Sequence, residues 1–415
     1  MVKRVLMVAF HYPPLQGGSG IHRTQAFVSY LPANGWTPLV LTVRPLAHAN
    51  VDLQAQPSGA IVKRTLALDT ARHLSLRGRY PGWLAQPDRW ASWCLSAVPA
   101  GLRLIRQYRP DLIWSTYPIA SAHLIALALH RLTAIPWVAD QRDPMLDDGY
   151  PAAPLRHRLH TRIEQQAMRR CAAVVCTTPT ALRALADRHS GTDRTRLYLI
   201  ENGYDEAAFV PPRQQVPCDP ERPLMLLHSG LIYPSERDPR QLFVALARLQ
   251  QQGMIDRQRL RLVLRASGHD DYLRAMLVEY PGLDGIVMLA PSLPYRAALA
   301  EMQDADGLLL LQAASCNGQI PAKLYEYLRA RRPVLALTDP AGDSAATLRA
   351  SGVGTIARLD KAGDIARAVL DFMNLCRGGT ATVASQEVIA RHARSARTRE
   401  LATLFDHIRD QSRIS

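Results

Sequence analysis

No stretch of this chain reaches the roughly 18 apolar residues that a helix needs to cross a bilayer. The richest run, Ile119 to Ala139, is interrupted by His123, His130, Arg131 and Pro136, which predicts a buried helix followed by a strand. The start, MVKRVLMVAF, has a short apolar part that runs straight into HYPP; it reads as a first strand, not a signal peptide. Zinc spacing is missing too. The six cysteines (Cys94, Cys171, Cys176, Cys218, Cys316 and Cys376) form no CxxC pair, which suits reduced, mostly buried thiols in a cytoplasm. No helix-turn-helix, RNP-type or zinc-finger pattern points to nucleic acid, and no short-period repeat is present.

Lysine is scarce and arginine abundant, and together they give a formal net charge of +14. The charge is uneven. Residues 1–210 hold 24 Lys and Arg against 14 Asp and Glu, a net of +10; the remainder holds 26 against 22, a net of +4. A basic first half suits anionic lipid headgroups or an acidic acceptor, and also simple solubility. At 415 residues, 47% hydrophobic and 21% charged, the chain has the length and balance of two globular domains.

The most informative stretch is GLLLLQAASCNGQIPAKLYEYLRARRPVLALTD, Gly307 to Asp339. Gly307 to Leu311 has the length and content of a buried parallel strand. A polar loop follows, with Asn317 and Gly318 as turn residues. Pro321 then opens a helix, since a fixed φ and a missing N–H are tolerated in the first turn, and Pro333 precedes the next strand, VLAL. The loop therefore sits at the carboxyl end of a parallel strand, where open α/β sheets bind ligands. Lys323 lies in the first helical turn, where free N–H groups and the helix dipole favour an anion. Glu326, three residues on, projects from the same face. A cation with free N–H groups suits a diphosphate, and a carboxylate one turn further suits a ribose diol. An exposed Lys–Glu ion pair is the plainer alternative.

IPAKLYEYLRARRPVLAL resembles the donor-binding segment of GT-B glycosyltransferases, specifically the family 4-like group of retaining enzymes. The resemblance implies that Lys323 touches a diphosphate and that Glu326 holds ribose hydroxyls, with Gln319 and Leu324 beside them. The family pattern has a second Glu eight residues before Glu326, near the sugar; here that position is Gly318, which leaves the sugar open. Other segments carry the same resemblance. YPPLQGGSG, with Gly17 and Gly18, is the glycine-rich first turn that the family sets over donor phosphates and acceptor. His22 and Arg23 follow in the first helix as acceptor contacts. Asp140, Arg142 and Asp143 form an acidic "RD" turn: Asp140 and Arg142 are expected at the acceptor and Asp143 at the reacting centre, against the alternative of a capped turn. After the strand PLMLLHSG, Gly230 ends the first strand of the second half. Arg237, with Arg240 as second choice, supplies the basic partner of Lys323. Ser292 and Leu293 fall where the family cradles the base. Arg237 and Lys323 would stabilise charge on the leaving diphosphate.

The expected architecture is α/β: two Rossmann-like doubly wound domains facing across a cleft, the GT-B arrangement. The first would span 1–210 and bind the acceptor, 211–222 would be a linker, and 223–394 would bind the nucleotide sugar. A final helix, roughly Ser385 to Asp410 with its last part at about 395–415, would pack back on the first domain. The expected activity is transfer of a sugar from a nucleotide-diphospho-sugar to an acceptor hydroxyl, with retention, in surface polysaccharide or glycoconjugate assembly. The implied partners are a nucleotide sugar as co-substrate, a glycan or lipid-linked saccharide acceptor, and an anionic surface at the inner membrane face. Asp304-Ala305-Asp306 spells a DxD string, but it lies at the far end of its strand, so no metal or other cofactor is expected. A nucleotide-sugar epimerase and a non-catalytic nucleotide-sugar-binding protein are the alternatives.

Overall fold

The computed structural model describes residues 2–15, 19–48, 51, 59–147, 150–191, 193–211 and 221–414. It forms two compact units: 1–202 with 394–415, and 203–393. Gly17, Gly18, Cys218 and most of the expected linker lie outside the described residues.

The first unit runs β1 (Lys3–Val8), α1 (Ser19–Tyr30), β2 (Trp36–Val43), β3 (Ile61–Thr65), α2 (Thr70–His73), α3 (Trp93–Tyr108), β4 (Leu112–Thr116), α4 (Ala120–Thr133), β5 (Trp137–Gln141), α5 (Pro154–Arg170), β6 (Ala173–Cys176), α6 (Pro179–Arg188) and β7 (Leu197–Leu199). The second runs β8 (Leu224–Ser229), α7 (Arg240–Gln251), β9 (Leu260–Arg265), α8 (Asp270–Val278), β10 (Val287–Ala290), α9 (Tyr295–Asp304), β11 (Gly307–Leu311), α10 (Ala322–Ala330), β12 (Val334–Leu337), α11 (Asp343–Ala350), β13 (Thr355–Ala357), α12 (Ala362–Arg377) and α13 (Gln386–Arg391). The closing helix, α14 (Arg394–Ile414), belongs to the first unit.

Every strand pairing within the two sheets is parallel. The orders are β3-β2-β1-β4-β5-β6-β7 and β10-β9-β8-β11-β12-β13. A parallel sheet has helices on both faces, so its central strands must be apolar throughout. Val5 to Val8, Leu112 to Trp114 and Leu308 to Leu311 are accordingly buried to the last few square ångströms. In each sheet the order reverses beside its first strand, at β1/β4 and at β8/β11. The connections on either side of that point leave in opposite directions and open a crevice at the strands' carboxyl ends. This is the doubly wound α/β class that the alternating pattern predicts.

Two features differ in detail from the sequence reading. The expected final helix is two helices, broken at His392 and Ala393. There the Tyr204 N–H donates to the His392 carbonyl at 3.2 Å, and Tyr204 bridges Ala393. The strand expected at LYLIENGYD shortens to Leu197–Leu199. Asp306 of the DxD string is structural: its oxygens accept from Arg222 at 2.7 and 2.6 Å and from the Met225 N–H at 2.8 Å. α14 is held by Phe405, edge-on to Trp36 with ring centroids 5.3 Å apart, and by Asp406, which accepts from Lys3 at 2.6 Å and from the Trp36 indole at 3.1 Å. Among the described cysteines four are buried, Cys94 is half-buried, and all are free thiols.

Candidate functional site

The switch point of the second sheet sets two chain segments side by side. One is the end of β8 with the turn that follows, His228 to Gly230; the other is the loop from β11 into α10. Gly230 adopts φ +109°, a region that side chains rarely enter. A Cβ built on it would lie 3.0 Å from Lys323 Nζ, so the glycine is what lets the lysine lie against the turn. The loop before α10 is tied down from inside: the Gln312 side-chain N–H groups donate to the carbonyls of Cys316 and Gln319, both at 2.8 Å. The Ala313 N–H donates to the Glu236 carbonyl at 2.7 Å, joining the loop to the segment that follows β8. Pro321 caps α10 with extended geometry and no side-chain hydrogen bond; in the first turn the Leu324 N–H donates to the Pro321 carbonyl at 2.9 Å, which leaves the Ala322 and Lys323 N–H groups toward the loop.

Lys323 is the centre of this arrangement. Its Nζ donates to His228 Nε2 at 3.2 Å, and among the described residues it makes no ion pair. The plainer sequence alternative, a Lys323–Glu326 pair, is not what the structure shows. Glu326 is 8% exposed and accepts instead from the Tyr295 hydroxyl at 2.7 Å, across from α9. Burial and the charge of Arg237 pull the Lys323 ammonium down to about 7, with Glu326 acting the other way. A cation at the start of a helix, near a second cation and with no carboxylate partner, is an unfavourable arrangement until an anion arrives. Arg237 is anchored by donating to the Leu231 carbonyl at 2.9 Å, and its guanidinium lies over the Tyr233 ring at 5.3 Å. Tyr327 braces the floor. Its hydroxyl accepts from the Ser229 N–H at 3.1 Å and reaches the Leu309 carbonyl at 3.3 Å, and burial raises its pKa.

The other donor-side expectations fall around this core. Gln319 is exposed at the loop's end and Leu324 is buried under the first turn of α10. Ser292 and Leu293 are exposed in the loop after β10. Arg240 is engaged by Tyr272 at 3.3 Å and Asp238 at 3.7 Å, in a pocket of about 270 Å³ that also takes in Gln312 and Ala313 of the loop and Arg358, itself paired with Asp360. Tyr295 and Tyr327 were not singled out in the sequence. Tyr327 sits four residues after Lys323 on the same helix, a spacing that could have marked it. Nothing local marks Tyr295.

In the first unit the structure brings the acceptor-side residues into two groups. Arg23 and Asp140 are spent on each other. The guanidinium donates to both Asp140 oxygens, at 3.2 and 2.8 Å, and to the carbonyls of Ile200 and Glu201, at 3.0 and 2.9 Å, while Thr116 donates to Asp140 at 2.9 Å. At 4% and 0% exposed, the pair ties α1, β5 and the end of the sheet together. Arg142 and Asp143 form the second group, paired at 2.7 Å with Asp143 half-exposed. The Arg142 guanidinium covers the first turn of α1: a Cβ on Gly20 would fall 1.4 Å from its Nη1. Burial, together with the charges of Arg142 and His48, drops His11 to about 3, so this group carries a neutral imidazole. His22 is half-buried nearby on α1.

Residues 18–203 match the family model described as a glycosyl transferase 4-like domain. Those residues form a glycosyl transferase 4-like domain, and the chain has the GT-B fold. The match covers most of the first unit, and solved structures extend the likeness of fold to the whole chain. Sucrose-phosphate synthase from Thermosynechococcus elongatus is 16% identical, with a TM-score of 0.64 over 99% of this chain and 97% of that one. HepE from Anabaena, solved in complex with UDP, is 15% identical, with a TM-score of 0.62 over 99% and 98%. The lipopolysaccharide outer core galactosyltransferase WaaB, in its apo form, is 12% identical, with a TM-score of 0.61 over 97% and 99%. No curated protein matches by sequence.

Proposed function

We propose that this glycosyltransferase takes its sugar from a nucleotide-diphospho-sugar held by the second unit, and passes it with retention to a saccharide acceptor in surface polysaccharide or glycoconjugate assembly. One observation carries the reading: Lys323 is held at the open start of α10 against a neutral histidine, near Arg237 and without a counter-carboxylate. An incoming diphosphate supplies the missing negative charge, and the same groups then stabilise the larger charge on the leaving diphosphate. Glu326, oriented by Tyr295, is placed one turn further along to accept from ribose hydroxyls. HepE, solved with UDP and with UDP-glucose, supports a uridine nucleotide as the first to try.

The acceptor reading has a surface feature behind it. On α5 the only acid, Glu164, is buried, with its carboxylate taken by Arg188 at 3.0 Å and His189 at 2.9 Å. The outer face shows Arg158, Arg162, Arg169 and Arg170 to solvent, with Leu155 half-exposed at its start. Arginines without acids between them suit an anionic membrane face and a lipid-linked acceptor. Among the described residues no helix is long and apolar enough to cross a membrane.

A thermal-shift screen of UDP-, GDP-, dTDP- and CDP-linked sugars tests the donor. A true ligand at 100 times its dissociation constant adds about 2.7 kcal/mol of stability. Lys323→Ala and Glu326→Ala should each abolish that shift while leaving a folded protein. A full-sized shift in both variants would sink the reading.

A further inference from the structure

His228 has no role in the reading above beyond standing next to Lys323. It is fully buried at the end of β8. Its Nδ1 lies 2.9 Å from the Leu309 carbonyl, which can only accept, so Nδ1 carries the proton. Nε2 is thereby left as a lone-pair acceptor, and its partner is Lys323 Nζ. The ring stays neutral: burial first, then the charges of Lys323 and Arg237, hold it well below the usual histidine range, against the opposing pull of the Leu309 and Gly230 backbone. Tyr327, from the far side, also reaches the Leu309 carbonyl, so the group that sets the tautomer is itself fixed.

We propose that His228 is a positioning residue for the donor diphosphate: its fixed tautomer holds Lys323 Nζ beside Gly230 and the first turn of α10, with the remaining N–H groups free for phosphate oxygens. The inference rests on the nucleotide-diphosphate reading of this site. The physical reason is order. A lysine on a flexible four-carbon stem loses rotamer freedom when it clamps an anion. One hydrogen bond to a rigid, neutral, buried acceptor takes that loss before the ligand arrives and leaves the cation's charge undiminished. A carboxylate in the same place would hold the lysine equally well but would repel the diphosphate. Besides His228, the charged groups acting on Nζ are Arg237, which follows β8, and Glu326 on α10, and Glu326 is turned to Tyr295.

The test uses the full chain with inorganic pyrophosphate and with UDP as probes, by calorimetry in phosphate-free buffer, on the wild type, His228→Leu, His228→Gln and Lys323→Ala. His228→Leu keeps the volume and removes the acceptor; His228→Gln puts an amide oxygen within reach of Nζ. The expected result is about a tenfold loss of affinity for both probes in His228→Leu, the weight of one hydrogen bond to a charged group, with recovery in His228→Gln. A second measurement separates positioning from mere support of the fold. Competitive acetylation of Lys323 against pH should give a midpoint near 7 in the wild type, lower in His228→Leu because the ammonium has lost an acceptor, and restored in His228→Gln. If Lys323→Ala abolishes binding while His228→Leu binds both probes as the wild type does, or leaves the acetylation midpoint unmoved, the positioning role is overturned and the diphosphate site stands. If the wild type binds neither probe, the site itself falls and this role with it.

Discussion

Lys323 and His228 meet at 3.2 Å, a half-buried lysine against a neutral ring, with the charge of Arg237 close by. The pair makes donor binding depend on pH in a defined direction. The free lysine titrates at about 7, and the form that attracts a diphosphate is the ammonium. Below that pH the site is charged and affinity is flat. Above it, binding must draw a proton from solvent, and affinity falls by about tenfold for each pH unit until the raised pKa of the bound state is reached. Calorimetric titration of UDP between pH 6 and 9 should show this slope, with net proton uptake at pH 8. A flat profile would mean that another group carries the charge.

The same displacement costs the fold something. An unfolded chain holds its lysine proton up to the ordinary lysine value, whereas the folded chain releases it at about 7. Between those two pH values the unfolded state binds more protons, so this group makes the protein more stable as pH rises through the window and least stable below it. Lys323→Met removes the half-buried amine and keeps the stem. It should therefore raise the melting temperature at pH 6.5 relative to the wild type while eliminating UDP binding, and the gain should shrink toward pH 9. A melting temperature unchanged by the substitution across that range would remove the burial argument.

Glu326 accepts from Tyr295 Oη at 2.7 Å, and this contact separates two parts of one ligand. Loss of a hydrogen bond to a buried carboxylate is worth about tenfold in binding when that carboxylate grips the ligand. Tyr295→Phe should therefore weaken UDP by about that factor and leave pyrophosphate, which has no ribose, unaffected. Equal loss for both probes would move Glu326 away from the ribose.

Much of this site was legible because its logic is local. Five apolar residues, a polar loop, Pro321, and a cation and an acid three residues apart all lie within one βα unit, and the parallel-strand pattern alone places the loop at the carboxyl end of the sheet. What the sequence could not show are partnerships made by distant segments. Arg23, in the first helix, and Asp140, at a strand's end, read as separate acceptor contacts, yet they lie 117 residues apart in the chain and close on each other in the interior. The donor to Glu326 comes from α9, 31 residues upstream. The closing helix divides at Ala393 because Tyr204, far away in sequence, claims the backbone there. Periodicity carries none of these pairings, since each is decided by which elements the sheet brings together.

The outer face of α5 offers the last test. Arg158 and Arg162 are one turn apart and exposed, and the only acid on the helix is turned inward to Arg188 and His189. Each such arginine near an anionic leaflet contributes about 1 kcal/mol, so the double reversal Arg158→Glu, Arg162→Glu should weaken sedimentation with phosphatidylserine-containing vesicles by more than about tenfold. Binding by the wild type should also fall as salt is raised from low ionic strength, because these charges are open to screening. Neither substitution touches the buried face that holds His160, Ile163 and Glu164, so UDP binding to the second unit should be unchanged. Vesicle binding that resists both the reversal and the salt would assign membrane contact, if any, to another surface.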